Sequence, residues 1–200
     1  MNTNALYKIG YGLYVLTANE GDRDNGCIIN TAMQVTSDPC QIAVAVNKMN
    51  YTNEMIKRTK KFNISVLSEN VKFDMFKHFG FQSGREVDKF SSYSDVNRSP
   101  NGLYYITKDT NAYFSAYVKQ DIDLGTHNLF IGQLVASETL SEVPTVTYDF
   151  YQKNIKPKPE SVKKSGWRCK ICGYVYEGEE LPADFICPWC KHGIADFERI

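Results

Sequence analysis

Apolar, strand-like runs dominate the first 152 residues, and apolar and polar positions alternate cleanly at 62–67. Runs at 12–18, 27–35, 41–46, 62–67, 112–118 and 128–135 are rich in strand-forming residues and bounded by turn formers, so each predicts a strand. Two stretches read differently. Residues 52–60 fit a helix, and 71–79 place Val71, Met75 and Phe79 on one helical face. Many strands with two short helices predict a closed or split β-barrel rather than a doubly wound sheet. No Gly-x-Gly-x-x-Gly run is present, so the pattern gives no support to a Rossmann nicotinamide site.

The series of strand-like runs stops near Lys153. Residues 153–166 carry two prolines and five lysines with only Ile155 and Val162 as large apolar groups, the composition of a linker. Its lysines are expected to be solvated. Fourteen residues extended at about 3.1 Å each would span roughly 40 Å, enough for a tethered unit to reach its own barrel, a second subunit or an external partner. This predicts units at 1–152 and 167–200 joined by the linker 153–166, with the smaller unit moving between sites.

The last unit carries the clearest chemistry. Cys169-Lys170-Ile171-Cys172 and Cys187-Pro188-Trp189-Cys190 are two Cys-x-x-Cys pairs with fourteen residues between them. Each pair presents two thiolates to one ion, and two pairs complete a tetrahedral all-sulfur site. The segment is too short to bury a sizeable core, so the metal supplies much of its folding free energy. A zinc ribbon has the same spacing. Trp167, Tyr174, Tyr176, Phe185, Trp189 and Phe197 favour iron, because an aromatic shell excludes water from a redox metal.

Composition adds boundaries. The 23 basic and 23 acidic residues balance, so no basic excess points to nucleic acid, and no run is long and apolar enough for a membrane span. Met1-Asn2-Thr3-Asn4-Ala5 lacks the regions of a secretory signal, and free thiolate sites belong in reducing compartments, so the cytoplasm is expected. Cys27 and Cys40 are expected to be buried, inert thiols, and His78 structural. Asn47-Lys48-Met49-Asn50-Tyr51-Thr52 ends a strand and opens a helix. With Thr52 as N-cap beside a lysine, this is either a candidate anion site or an ordinary capped helix.

Two resemblances extend these readings. Cys-x-x-Cys-Gly-Tyr-x-Tyr, then Glu-Leu-Pro-Ala-Asp-Phe and Cys-Pro-x-Cys resemble a rubredoxin domain, with Lys191 where that family usually has glycine. The run from Asn25 to Pro39, followed by Asn47-Lys48 and Tyr51-Thr52, resembles the flavin reductase family, which has an FMN-binding split-barrel fold and is usually dimeric. Gly125-Thr126-His127 through Gly132 is similar to its Gly-Asp-His signature, with Thr126 replacing the acid. The resemblance implies that Asn30, Thr31, Gln34 and Val35 line the flavin ring and ribityl chain. It implies that Lys48, Tyr51 and Thr52 hold the phosphate, with Asn47 also among the cofactor-binding positions. It puts His127 near the ring or the nicotinamide as the catalytic residue. Arg85 and Lys89 are read either as approaching the flavin or as part of a solvated loop.

Together the two units resemble the high-molecular-weight rubredoxins. That likeness implies a mainly β chain passing electrons from NADH or NADPH through FMN to one iron per chain, then to a flavodiiron protein that reduces oxygen or nitric oxide. The alternative is a non-catalytic FMN-binding protein with a structural zinc ribbon.

Overall fold

The computed structural model describes residues 3–157 and 166–200. Eight of the linker positions, 158–165, therefore lie outside the described residues. Strand is the dominant state, at 44% against 17% helix. A seven-stranded antiparallel sheet is built from β1 (Tyr14–Glu20), β2 (Arg23–Ile29), β3 (Ala32–Ser37), β4 (Cys40–Asn47), β5 (Lys61–Leu67), β8 (Thr110–Asp123) and β9 (His127–Thr139). Its order is β2-β1-β5-β8-β9-β4-β3. A small hairpin, β6 (Val96–Arg98) and β7 (Tyr104–Ile106), stands apart from it.

The two edge strands, β2 and β3, are consecutive in the chain. Only Asn30 and Thr31 separate them, so the sheet has to curl until its edges meet at one end. The result is a split barrel. The composition of residues 27–35 predicts one strand, yet the chain breaks there, with the Thr31 hydroxyl donating to Ala45 O at 2.7 Å. Right-handed twist and β-bulges in the β3–β4, β5–β8 and β8–β9 pairs help the curl. At the tightest point Gly132 faces Phe62 and Ala116. A Cβ there would lie 2.7 Å from the Phe62 ring, so glycine is required.

Two apolar clusters fill the unit. Helix α1 (Tyr51–Thr59) drives Met55 and Ile56 among Leu16, Val44, Phe62 and Phe130 inside the barrel. Helix α2 (Phe73–Gly80) packs Met75, Phe76 and Phe79 against Leu13, Leu67, Ile106 and Tyr151 outside it. Val71 precedes α2 but still joins this second cluster, as the helical pattern implied. A buried polar knot secures the β6–β7 hairpin: Asn63 Nδ2 donates to Ser99 Oγ and Leu103 O, and Asn101 Nδ2 donates to Asn63 Oδ1 at 2.9 Å. Such groups are tolerated in a core because every one is paired.

After β9 the chain returns through α3 (Tyr148–Phe150), which runs on as a π-helical turn (Tyr151–Ile155). The C-terminal unit is a three-stranded sheet of β10 (Trp167–Cys169), β11 (Val175–Tyr176) and β12 (Phe197–Arg199). Among the described residues no helix is long and apolar enough to cross a membrane.

Several expectations need correction. Thr52 is not the N-cap: Asn50 holds that position without a side-chain cap, and the buried Thr52 hydroxyl accepts from Asn25 Nδ2 at 2.9 Å. Cys27 is buried, but Cys40 is only partly so, because it opens β4 at the exposed turn from β3. His78 is structural, as expected; its ring stacks on Tyr93 and its Nε2 lies 2.7 Å from Lys89 O. Lys89 is neither solvated nor poised over a cavity. It is 3% exposed, and its ammonium donates to Gly26 O at 2.8 Å and Phe79 O at 2.9 Å.

Burial pulls the Lys89 pKa down to about 8, with the neighbouring Cys27 thiol acting in the opposite sense. A base with a depressed folded-state pKa stabilises most above its unfolded value, and that contribution is lost as pH falls through the folded one. For Lys89→Met, the stability gap to the unsubstituted protein is expected to shift by roughly 3 kcal/mol between pH 8 and 10.5, in favour of the lysine as pH rises. Urea unfolding across that range measures it, and parallel pH profiles would remove Lys89 from the account.

Candidate metal centre and adjoining cavity

The two cysteine knuckles repeat one backbone design. In the first, Gly173 N–H donates to Cys169 O at 2.8 Å and Cys169 N–H to Tyr174 O at 2.8 Å. In the second, Lys191 N–H donates to Cys187 O at 2.9 Å and Cys187 N–H to His192 O at 2.8 Å. The turn needs a left-handed residue after the second cysteine, and Gly173 supplies it at φ 83°. Lys191 takes the same place at φ 62°, at a cost of about 1 kcal/mol for a residue with a Cβ. The departure from the glycine pattern therefore keeps the turn.

The geometry brings all four sulfurs of Cys169, Cys172, Cys187 and Cys190 within 4.8 Å of one another. Cys169 and Cys190 lie 3.5 Å apart, Cys172 and Cys187 3.4 Å. Metal–sulfur bonds of about 2.3 Å in a tetrahedron give sulfur separations of roughly 3.8 Å, so the cluster fits one ion. Hydrogen bonds from the other three thiols drive the Cys169 pKa far down, while Cys169 and Cys187 push Cys172 up and all three neighbours push Cys190 up. Four thiolates this close repel one another without a cation between them, so the donor set fits a metal.

The six aromatics close around that set. Tyr174 meets Phe185 and Trp189, Phe185 meets Tyr176 and Phe197, and Trp167 packs on the cysteine cluster. A seventh ring comes from the barrel unit: Phe81 stacks on Trp189 at 5.6 Å between centroids and 12° between planes. Lys156 adds a polar anchor, donating to Lys170 O at 3.0 Å and Ile171 O at 2.7 Å. Burial lowers its pKa and the nearby cysteines oppose that shift. This lysine is thus bonded to the small unit rather than solvated.

A cavity of about 300 Å³ lies where the two units meet. Asn30, Thr31, Asn47 and His127 line it from the barrel side, with Cys172, Cys190, Lys191 and His192 opposite. His127 opens β9 directly across from Asn47 at the end of β4. Its Nδ1 lies 2.9 Å from Thr126 Oγ1, so the threonine takes up the orienting contact where an acid was expected. Burial first, and the charge of His192 second, hold the His127 pKa below its ordinary value. The neutral ring is favoured there.

The other sequence-derived residues lie outside this lining. Gln34 and Val35 sit on exposed β3, where Gln34 Nε2 donates to Thr36 O at 3.2 Å. Lys48 pairs with Asp123 at 2.6 Å, and its N–H donates to Thr126 O. Tyr51 is flanked by two guanidiniums, Arg23 at 5.3 Å and Arg85 at 5.0 Å from its ring centre, while Arg85 also bonds Glu54. Sequence reasoning missed Phe81, Lys156 and Tyr151. An aromatic just past a helix and a lysine in a linker carry no local mark of a distant partner.

Comparison with known proteins places both units. The chain matches the flavin reductase like domain family over residues 6–157 and the rubrerythrin, rubredoxin-like domain family over 167–198. It is 38% identical to the high molecular weight rubredoxin of Moorella thermoacetica, with the full length of both chains covered. It is 37% identical to the ferric-chelate reductase (NAD(P)H) of Archaeoglobus fulgidus over 79% of this chain and 93% of that one. Among solved structures, flavoredoxin from Methanosarcina acetivorans superposes with a TM-score of 0.59 at 22% identity, covering 65% of this chain and 69% of that one, a likeness of fold.

The cysteine geometry yields a direct test. Cys187 is fully buried, and Cys187→Ala removes one thiolate from the set. Bound metal is expected to be lost, together with the dispersed NMR signals of 167–200, while those of the barrel persist. Undiminished metal content would contradict a four-sulfur site.

Proposed function

Because the chain belongs to the family of high molecular weight rubredoxins, we propose that it is an NAD(P)H-dependent oxidoreductase passing electrons through FMN to an Fe(Cys)4 centre. From there they go to a protein acceptor of the flavodiiron class that reduces oxygen or nitric oxide. One observation carries this reading: two cysteines of the metal cluster and the residues Asn30, Thr31, Asn47 and His127 line the same cavity. The likeness to a ferric-chelate reductase (NAD(P)H) supports a nicotinamide donor. The boundaries 1–152, 153–166 and 167–200 are the division we propose for the two working units.

When bound, flavin accepts a hydride and releases its electrons singly, and a four-thiolate iron takes one at a time. The chain's own residues supply position and charge. Asn30, Thr31 and Asn47 offer amide and hydroxyl groups to the polar edge of the ring and its ribityl chain. Lys48, at the mouth of α1 with Tyr51 and Thr52, is the cation for the phosphate, and Asp123 competes for it. His127 holds Nδ1 toward Thr126, leaving Nε2 for the ring or the nicotinamide. Cys169, Cys172, Cys187 and Cys190 hold the iron, and the aromatic shell keeps water from it.

Anaerobic addition of NADH or NADPH to the loaded protein is expected to bleach the yellow flavin first and the red iron next. A colourless C-terminal unit holding stoichiometric zinc, from iron-replete cells, would favour the non-catalytic zinc-ribbon alternative.

A homodimer is part of the same proposal. On the outer face of the sheet Met33 lies beside Ala43 and then Ile131, while Ala45 lies beside Leu129 and then Ile122. Met33 is 63% and Ile122 42% exposed, an apolar stripe that a second copy would cover. It would also lie along the edge strand β3, which carries the exposed Gln34 and Val35. Sedimentation of the unsubstituted protein should give twice 22.8 kDa, and Met33→Asp should shift it toward the single chain. A monomer in both cases would refute the pairing.

A further inference from the structure

The C-terminal unit is seated on the barrel by two contacts of different kinds. Lys156 Nζ donates to the carbonyls of Lys170 and Ile171, both inside the first knuckle, at 3.0 and 2.7 Å. Phe81, just past α2, stacks on Trp189 inside the second knuckle. Each contact therefore holds one knuckle. Together they set Cys172 and Cys190 into the wall of the cavity that His127 and Asn30 line from the other side. Lys191 and His192 complete that wall.

The space left is small. A cavity of about 300 Å³ is at the bottom of the range for small-molecule sites, enough for about one ring system. Hydride transfer needs a second ring stacked within contact of the first. The second knuckle, through Cys190, Lys191 and His192, lines that same space.

We propose that Lys156 and the Phe81–Trp189 stack form a clamp seating the metal knuckles on the cavity, and that the seated unit and the nicotinamide compete for the same face. The inference rests on the reading of this cavity as the flavin site, and it assigns Lys156 and Phe81 as positioning residues. Electrons can leave for the metal only when the clamp is closed, and the nicotinamide can enter only when it is open. The two half-reactions alternate.

The test uses the full chain loaded with flavin and iron, titrated with NAD+ and NADP+, which bind without reducing it. Lys156→Met removes both carbonyl bonds, and Phe81→Leu removes the stack at similar volume, so either variant serves if the other misfolds. Apparent affinity falls with the fraction of molecules that are binding-competent, so each variant is expected to bind the oxidised nicotinamide about tenfold more tightly. Small-angle scattering should show a larger radius of gyration, and iron reduction after flavin reduction should slow. A residue with a merely structural role would weaken nicotinamide binding or leave it unchanged, and either result overturns the clamp. If neither nicotinamide binds any of the three proteins, the functional reading itself fails, a result distinct from equal binding by all three.

Discussion

A connection of two residues between the two edge strands of a seven-stranded sheet is the constraint on which the rest depends. Ile29 ends β2 and Ala32 begins β3, yet these strands lie at opposite ends of the sheet order. Only a curled sheet can satisfy that connection. Curling brings Asn30 and Thr31 to the seam, with Thr31 bonded to Ala45 on β4 and His127 on β9 facing Asn47. The polar residues of the cavity are thus collected by closure of the barrel. The aromatic α2 on the outside provides the surface on which the second unit sits.

The second unit solves a different problem. It has little core, and its fold depends on an ion holding two knuckles together. Each knuckle uses the same pair of backbone bonds and the same left-handed residue, and the second accepts a lysine there. Because Lys191 and His192 follow the last cysteine directly, the turn that holds the metal also presents side chains to the cavity. Metal ligation and contact with the barrel are therefore properties of one short segment.

Charge is handled sparingly in the interior. Lys89 is buried against two carbonyls, and its lowered pKa expresses the cost of holding an ammonium there. Lys156 is half-buried on two other carbonyls, close to a cluster that carries negative charge whenever its thiols are ionised. In both places a lysine ties together segments distant in sequence.

By itself the sequence determined the strand-rich character, the two helices and the paired cysteine spacing of a four-sulfur site, whereas Asn30, Thr31, Asn47 and His127 are named only through the resemblance to the flavin reductase family. The first three follow from local rules: side-chain character and period, and ligand spacing within a turn. The tertiary structure alone decided where the run 27–35 breaks, that Thr52 faces Asn25 instead of capping its helix, and that Lys89 is buried. It also decided that Phe81 meets Trp189 and that Lys156 reaches the first knuckle. Those pairings join residues far apart in the chain. Their energy comes from mutual burial and shared hydrogen bonds, and neither leaves a periodic trace in the sequence.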